Sequence, residues 1–159
     1  MLATLFIPRA ARVCLLMTCV VAPTALAKEP APRVKVTVVE ILANDRDDEV
    51  DPRLKCVAEE VRKLNPQLKG FKLMSMASRS LRADEKTEFS LVEGQVAQVV
   101  IRQLADEHNK VSLAITPPRQ GEIVYRATCG KFLPIVTRFM TRDNERLILA
   151  VRVQPCQGK

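Results

Sequence analysis

The residues able to do chemistry in this sequence are few and widely spaced. The sole histidine, His108, falls in Asp106-Glu107-His108-Asn109-Lys110, a polar stretch that reads as a turn between two strands. The cysteines Cys14, Cys19, Cys56, Cys129 and Cys156 form no CxxC redox spacing. Nucleophilic catalysis needs a base within reach of the nucleophile. The one pairing left open is Cys56 with His108, which gives a small secreted hydrolase or thiol enzyme as an alternative reading. Zinc ligation calls for Cys and His at short, regular spacing, and none occurs. Asp45, Asp47, Glu49 and Asp51 alternate as calcium-loop ligands do, yet Val50 stands where the loop needs glycine and Cys56 where it needs a closing glutamate. Solvation and a favourable charge at a helix amino terminus explain these acids more simply. No catalytic, metal or cofactor site is therefore expected.

Other ligand classes lose support from composition. The chain has no Trp, a single Tyr and five Phe, too few aromatic platforms for single-stranded nucleic acid or carbohydrate. Glycine-rich phosphate loops are absent. A net charge of +7 at pH 7 favours anionic surfaces, but the basic residues are scattered rather than run together. Pro117-Pro118-Arg119-Gln120-Gly121 is the best candidate for an exposed rigid loop, and with it a protease-inhibitor reading.

These residues sit in a chain built for export. Arg9 and Arg12, the apolar run from Val13 to Ala22, and the small-residue end Ala25-Leu26-Ala27 match the three regions of a secretory signal peptide over residues 1–27. The apolar run is half the roughly 20 residues that a spanning helix needs. Thr18 precedes Cys19 where a lipobox requires a small residue such as Gly, Ala or Ser, so lipidation is the minor option. Cleavage leaves a short extended lead-in, 28–33, and one domain, 34–159, in the periplasm or the medium.

The elements that must position any site follow from periodicity. Val34 to Ala43 reads as a buried strand between Pro32 and the acidic loop. Asp51 can cap a helix with Pro52 in its first position, and Leu54, Val57, Ala58, Val61 and Leu64 then recur at helical spacing until Asn65-Pro66. From Phe71 the period changes to two, in Phe71/Leu73, Phe89/Leu91, Val111/Leu113/Ile115, Ile123/Tyr125/Ala127 and Leu147/Leu149/Val151/Val153. Met74 and Met76 fall opposite Leu73 in this alternation, which predicts a strand buried on both sides. The expected fold is α+β: about seven mainly antiparallel strands in a twisted sheet or small sandwich, with one helix packed on it.

Three cysteines follow the leader, in a compartment where disulfides persist. A final hairpin turning about Asp143 pairs residues whose numbers sum to about 286, which sets Cys156 beside Cys129 and makes these two the disulfide candidates. Cys56, on the side of its helix away from the apolar stripe, is then the candidate free thiol, with a swapped pairing to Cys129 or Cys156 as the alternative.

The sequences Val50-Asp51-Pro52-Arg53-Leu54, Gly70-Phe71-Lys72-Leu73-Met74 and Arg146-Leu147-Ile148-Leu149-Ala150-Val151 resemble segments of small exported bacterial proteins of unknown role. That resemblance implies the same order of strand, Asp-capped helix and antiparallel strands, together with export, and it implies no activity. The favoured reading is a non-enzymatic binding or assembly module of the cell envelope. Its partner is a protein or an anionic envelope component, met through a sheet edge or basic surface, and the module is a monomer or a disulfide-linked dimer.

Overall fold

In the computed structural model, residues 32–155 are described. The expected leader over residues 1–27, most of the expected lead-in and Cys156 lie outside them. The described chain forms β1 (Val34–Asn44), a 3-10 turn (Pro52–Leu54), α1 (Lys55–Leu64), β2 (Gly70–Leu81), β3 (Lys86–Ser90), a second 3-10 turn (Val92–Gly94), β4 (Val96–Gln103), β5 (Lys110–Thr116), β6 (Ile123–Thr128), β7 (Phe132–Met140) and β8 (Arg146–Pro155). The fold is α+β and strand-rich, as expected, with eight strands among the described residues. Sheet A has the order β2-β1-β8-β7 and sheet B the order β3-β4-β5-β6, with every pair antiparallel.

Three layers explain why β1 and β8 carry apolar residues on both faces over much of their length. Val34, Val36, Val38 and Leu42 of β1, with Leu147, Leu149, Val151 and Val153 of β8, pack against Val99, Ile101, Leu113 and Ile115 of sheet B. The opposite parity, Val39, Ile41, Ala43, Ile148 and Ala150, packs against Leu54, Val57, Ala58 and Val61 from the helix. Central strands covered on both faces read as continuous hydrophobic runs rather than alternating ones. The antiparallel sandwich therefore carries its helix on the outside of sheet A.

Asp51 caps as its sequence position implies, accepting from the Arg53 backbone amide at 2.9 Å and from the Arg53 guanidinium at 2.6 Å. The first helical turn is 3-10, and the α-helix begins only at Lys55. Leu64 departs from expectation. It is 71 % exposed, because the helix ends at Asn65, whose N–H closes on Val61 O, and Leu68 turns back to fill the next apolar position.

Two irregularities reset the registers. Between β1 and β2, Glu40 pairs with Ser75 and Ile41 with Leu73, so Met74 is an extra, bulged residue. Met76 then stands on the same face as Leu73, and the expected burial of the two methionines fails, with Met74 40 % and Met76 57 % exposed. Between β7 and β8, Met140 pairs with Arg146 but Val136 pairs with Ile148, a slip of two in the predicted sum. The buried Thr137 hydroxyl holds this bulge, donating to Leu147 O at 2.8 Å and accepting from the Phe139 N–H at 3.2 Å.

Candidate functional site: the open edge of sheet A

Glu40 is the chemical group that the periodicity argument passes over. It lies on the inward face of β1, between Val38 and Leu42, and is only 4 % exposed. Its carboxylate accepts from the Ser75 hydroxyl at 2.8 Å and from the Val92 N–H at 2.5 Å. The second bond crosses from sheet A to the β3–β4 connection, where Glu93 takes a left-handed φ of 51° and Gly94 one of 69°. Glu93 Oε1 in turn accepts the Arg142 N–H of the β7–β8 turn at 2.9 Å. These bonds clamp the same end of both sheets. The signal in the sequence was a lone acid within the run Val-Thr-Val-Val-Glu-Ile-Leu.

The residues proposed for thiol chemistry are not brought together. Cys56 is exposed on the helix, outside sheet A. His108 belongs to the β4–β5 turn of sheet B, where its N–H donates to Asp106 Oδ1 at 2.9 Å as an ordinary turn bond. Sheet A separates the two, and the Cys56–His108 dyad is not formed. Nearer to His108 is Cys129, in the β6–β7 turn, whose N–H donates to Asn109 O at 2.8 Å. Burial pushes the Cys129 thiol pKa up, and the adjacent Asp106 charge pushes it further. A thiol held protonated is a poor nucleophile. Among the described residues there is no disulfide: Cys56 and Cys129 are free thiols. The register change at Thr137 alters the geometry predicted for Cys129 with Cys156, since Gly130 N–H now donates to Val153 O at 2.8 Å.

Asp47, Glu49, Asp51 and Glu145 line a cleft of about 480 Å³ together with Lys72 and Phe71. Their hydrogen bonds build the loop itself: Asn44 Oδ1 accepts from the Arg46 and Asp47 amides, and Asp47 Oδ1 from Glu49. Asp51, held by the Arg53 side chain and then by its backbone amide, has a pKa lowered to about 2. Among the described residues no three acids, histidines or cysteines approach closely enough to hold a metal. In the loop Pro117–Gly121, both prolines are buried and Arg119 takes a φ of 58°, with its guanidinium 4.9 Å from the Phe139 ring. Proline followed by a positive-φ residue makes a tight type II turn folded onto the core, not the extended segment expected of an inhibitory loop.

The remaining candidate is a strand edge. Four strands end the two sheets, and they differ. β3 and β6 have 5 and 6 residues. β7 has Pro134 and the double-residue bulge, both of which obstruct an added strand. β2 has 12 residues, and from Lys72 to Ser80 none is fully buried. After the Met74 bulge it keeps a regular register with β1 from Ser75 to Leu81, and between Ser75 and Arg79 β1 is its one strand neighbour among the described residues. Lys72 and Arg79 are its only charges, so the stretch between them lacks the charged side chains that discourage pairing.

No protein-family model, curated protein or solved structure matches this chain. Among the described residues no helix is long and apolar enough to cross a membrane.

Proposed function

We propose that the protein is an exported, non-enzymatic binding module of the cell envelope that takes an extended segment of a partner protein along β2. The observation that carries this reading is the contrast among the four sheet edges: β2 alone is long, regular beyond one bulge and free of proline. Strand addition draws affinity from main-chain hydrogen bonds and selectivity from alternate side chains. Here Met76 and Ser78 flank the added strand on one face and Ala77 on the other. The leader-like residues 1–27 supply the argument for export to the periplasm or the medium. Oxidation there favours a Cys129–Cys156 bridge that ties the carboxyl terminus to the sandwich and leaves Cys56 free, with a Cys56-linked dimer as the alternative to a monomer.

Selection of extended octapeptides from a displayed random library tests the edge directly. Binders are expected to shift the backbone amides of Ser75 to Arg79 and to slow their hydrogen exchange. Binding should weaken at least tenfold when Met76→Ser is combined with Met74→Lys. Binders that perturb α1 or β6 instead, or that ignore both substitutions, would refute the edge reading.

A further inference from the structure

Phe71 fixes which main-chain groups of β2 face the open edge. Its N–H donates to Glu49 O at 2.8 Å and its carbonyl accepts from the Asp51 N–H at 3.0 Å, so the segment from Glu49 to Asp51 runs alongside β2 there, parallel to it. Opposite residues in an antiparallel ladder alternate between pairs that exchange both bonds and pairs whose groups point away from each other. Phe71 with Ala43 is therefore a pair of the second kind, and Lys72 with Leu42 of the first. Counted along β1 past the Met74 bulge, Ser75, Ala77 and Arg79 turn their amides towards Glu40, Val38 and Val36. Met76 and Ser78 turn theirs to the edge. Both residues are exposed, Met76 by 57 %. The Ser78 carbonyl takes a long contact of 3.5 Å from the neighbouring Arg79 guanidinium, which an incoming N–H would displace.

This stretch is complementary to itself. A two-fold axis through Ala77 sets Met76 against Ser78 of a second copy, and Ser78 against Met76 of that copy. Both residues face the edge, so each of these pairs exchanges N–H and C=O. On the outer face a long thioether side chain then lies beside a small hydroxyl. On the other face Ser75 stands opposite Arg79 and Ala77 opposite its own counterpart, with no like charges juxtaposed. The ends of β2 also select this axis. The strand finishes at Leu81, so the second copy stops short of Phe71, where the segment from Glu49 to Asp51 already stands. An axis moved to Met76 would carry the second strand onto that segment.

We propose that β2 pairs with β2 of a second copy of this chain about a two-fold axis at Ala77, so that the two copies of sheet A continue as one. The inference rests on the strand-capture reading above and names its partner. An isologous contact of this kind needs only the one patch on both subunits. The paired stretch is short beside the interface of a permanent dimer, so the association is reversible and depends on concentration.

Disulfide trapping reads the register. In a Cys56→Ser background of the full chain, Ala77→Cys should form a dimer that reduction splits, because opposite residues of a pair without mutual bonds have Cα atoms about 4.5 Å apart, within bridging distance. Ser75→Cys should not, since its two copies lie roughly 14 Å apart along the strands. Sedimentation of Cys56→Ser should show a reversible dimer that Met76→Lys and Ser78→Pro each weaken at least tenfold. Proline at Ser78 removes a donor that faces the edge and leaves the ladder to β1 intact. Met76 is exposed, so its variant decides the matter even if Ser78→Pro impairs folding. A monomer at millimolar concentration, trapping at Ser75→Cys as efficient as at Ala77→Cys, or a dimer indifferent to Met76→Lys would overturn the inference. A monomer that still captures library peptides along Ser75 to Arg79 overturns the second copy as partner and leaves the strand-capture reading standing, so the two fail separately.

Discussion

Glu40→Ala is expected to cost about 3 kcal/mol of folding stability. The magnitude follows from the two bonds the carboxylate makes and from where their donors end up. The Val92 N–H is half-buried in the β3–β4 connection, and its 2.5 Å bond to Glu40 Oε1 is the one whose loss leaves a backbone donor without a partner. Hydrogen bonds to charged acceptors contribute about 1.5–3 kcal/mol each. Ser75 is exposed, so its hydroxyl rehydrates when the 2.8 Å bond is lost, and that bond adds little. The one deleted methylene, packed between Val38 and Leu42, adds about 0.8 kcal/mol if fully buried. Glu40→Gln keeps a carbonyl oxygen for Val92 and should cost about 1 kcal/mol. Urea denaturation measures both, with an unchanged slope showing that the native state stays compact. Amide exchange supplies a local readout: Val92 should be protected in the parent and exchange rapidly in Glu40→Ala. If Glu40→Ala lies within about 0.5 kcal/mol of the parent, or Val92 exchange does not change, the clamp between the sheets is not what Glu40 provides.

Three further outcomes follow from the geometry. Gly70→Ala should destabilise by about 1–2 kcal/mol in the same denaturation assay, because a Cβ there collides with the Asp47 and Asn44 side chains that hold the acidic loop in shape. Acid should weaken the helix cap: the Asp51 pKa is lowered from 3.8 to about 2, so its contribution is complete above about pH 4 and disappears as pH falls towards 2. Melting curves of the parent and Asp51→Asn at pH 6, 4 and 2 should accordingly converge at the lowest pH, and a constant gap would contradict the assignment. Intact-mass analysis of exported protein should show a chain beginning at Lys28 with one alkylatable thiol before reduction and three after. Three before reduction would remove the Cys129–Cys156 bridge, whose loop of roughly 28 residues could contribute about 3 kcal/mol.

The parts of the fold legible in the sequence are those where one rule acts alone. Asp51-Pro52 marks a helix start because capping and a missing amide proton are local facts, and the structure puts the cap there. The run from Val34 is a strand whichever neighbours it has. Leu64 misled because helical spacing continues on paper past the point where the chain turns, and the vacant position was filled from Leu68. Val96–Gln103 and Phe132–Met140 were not among the alternating segments singled out, the latter containing Pro134, which suits only an edge. Neither bulge announces itself. Inserting Met74 costs one residue of parity, and period-two reasoning has no term for it, so every inference about the face of β2 inverted beyond that point.

That inversion also shaped the candidate edge. Without the bulge, Met76 and Ser78 would face sheet B with Ala77 on the outside. Because Glu40 pairs with Ser75 immediately before the register breaks, the buried carboxylate anchors the strand at the point where its parity changes. The same residue fixes the β3–β4 connection of sheet B through Val92. A substitution at Glu40 should therefore loosen the edge of β2 as well as the clamp between sheets. Faster exchange across Ser75 to Arg79 in Glu40→Ala than in Glu40→Gln would show that coupling, and equal exchange in the two would separate the clamp from the surface.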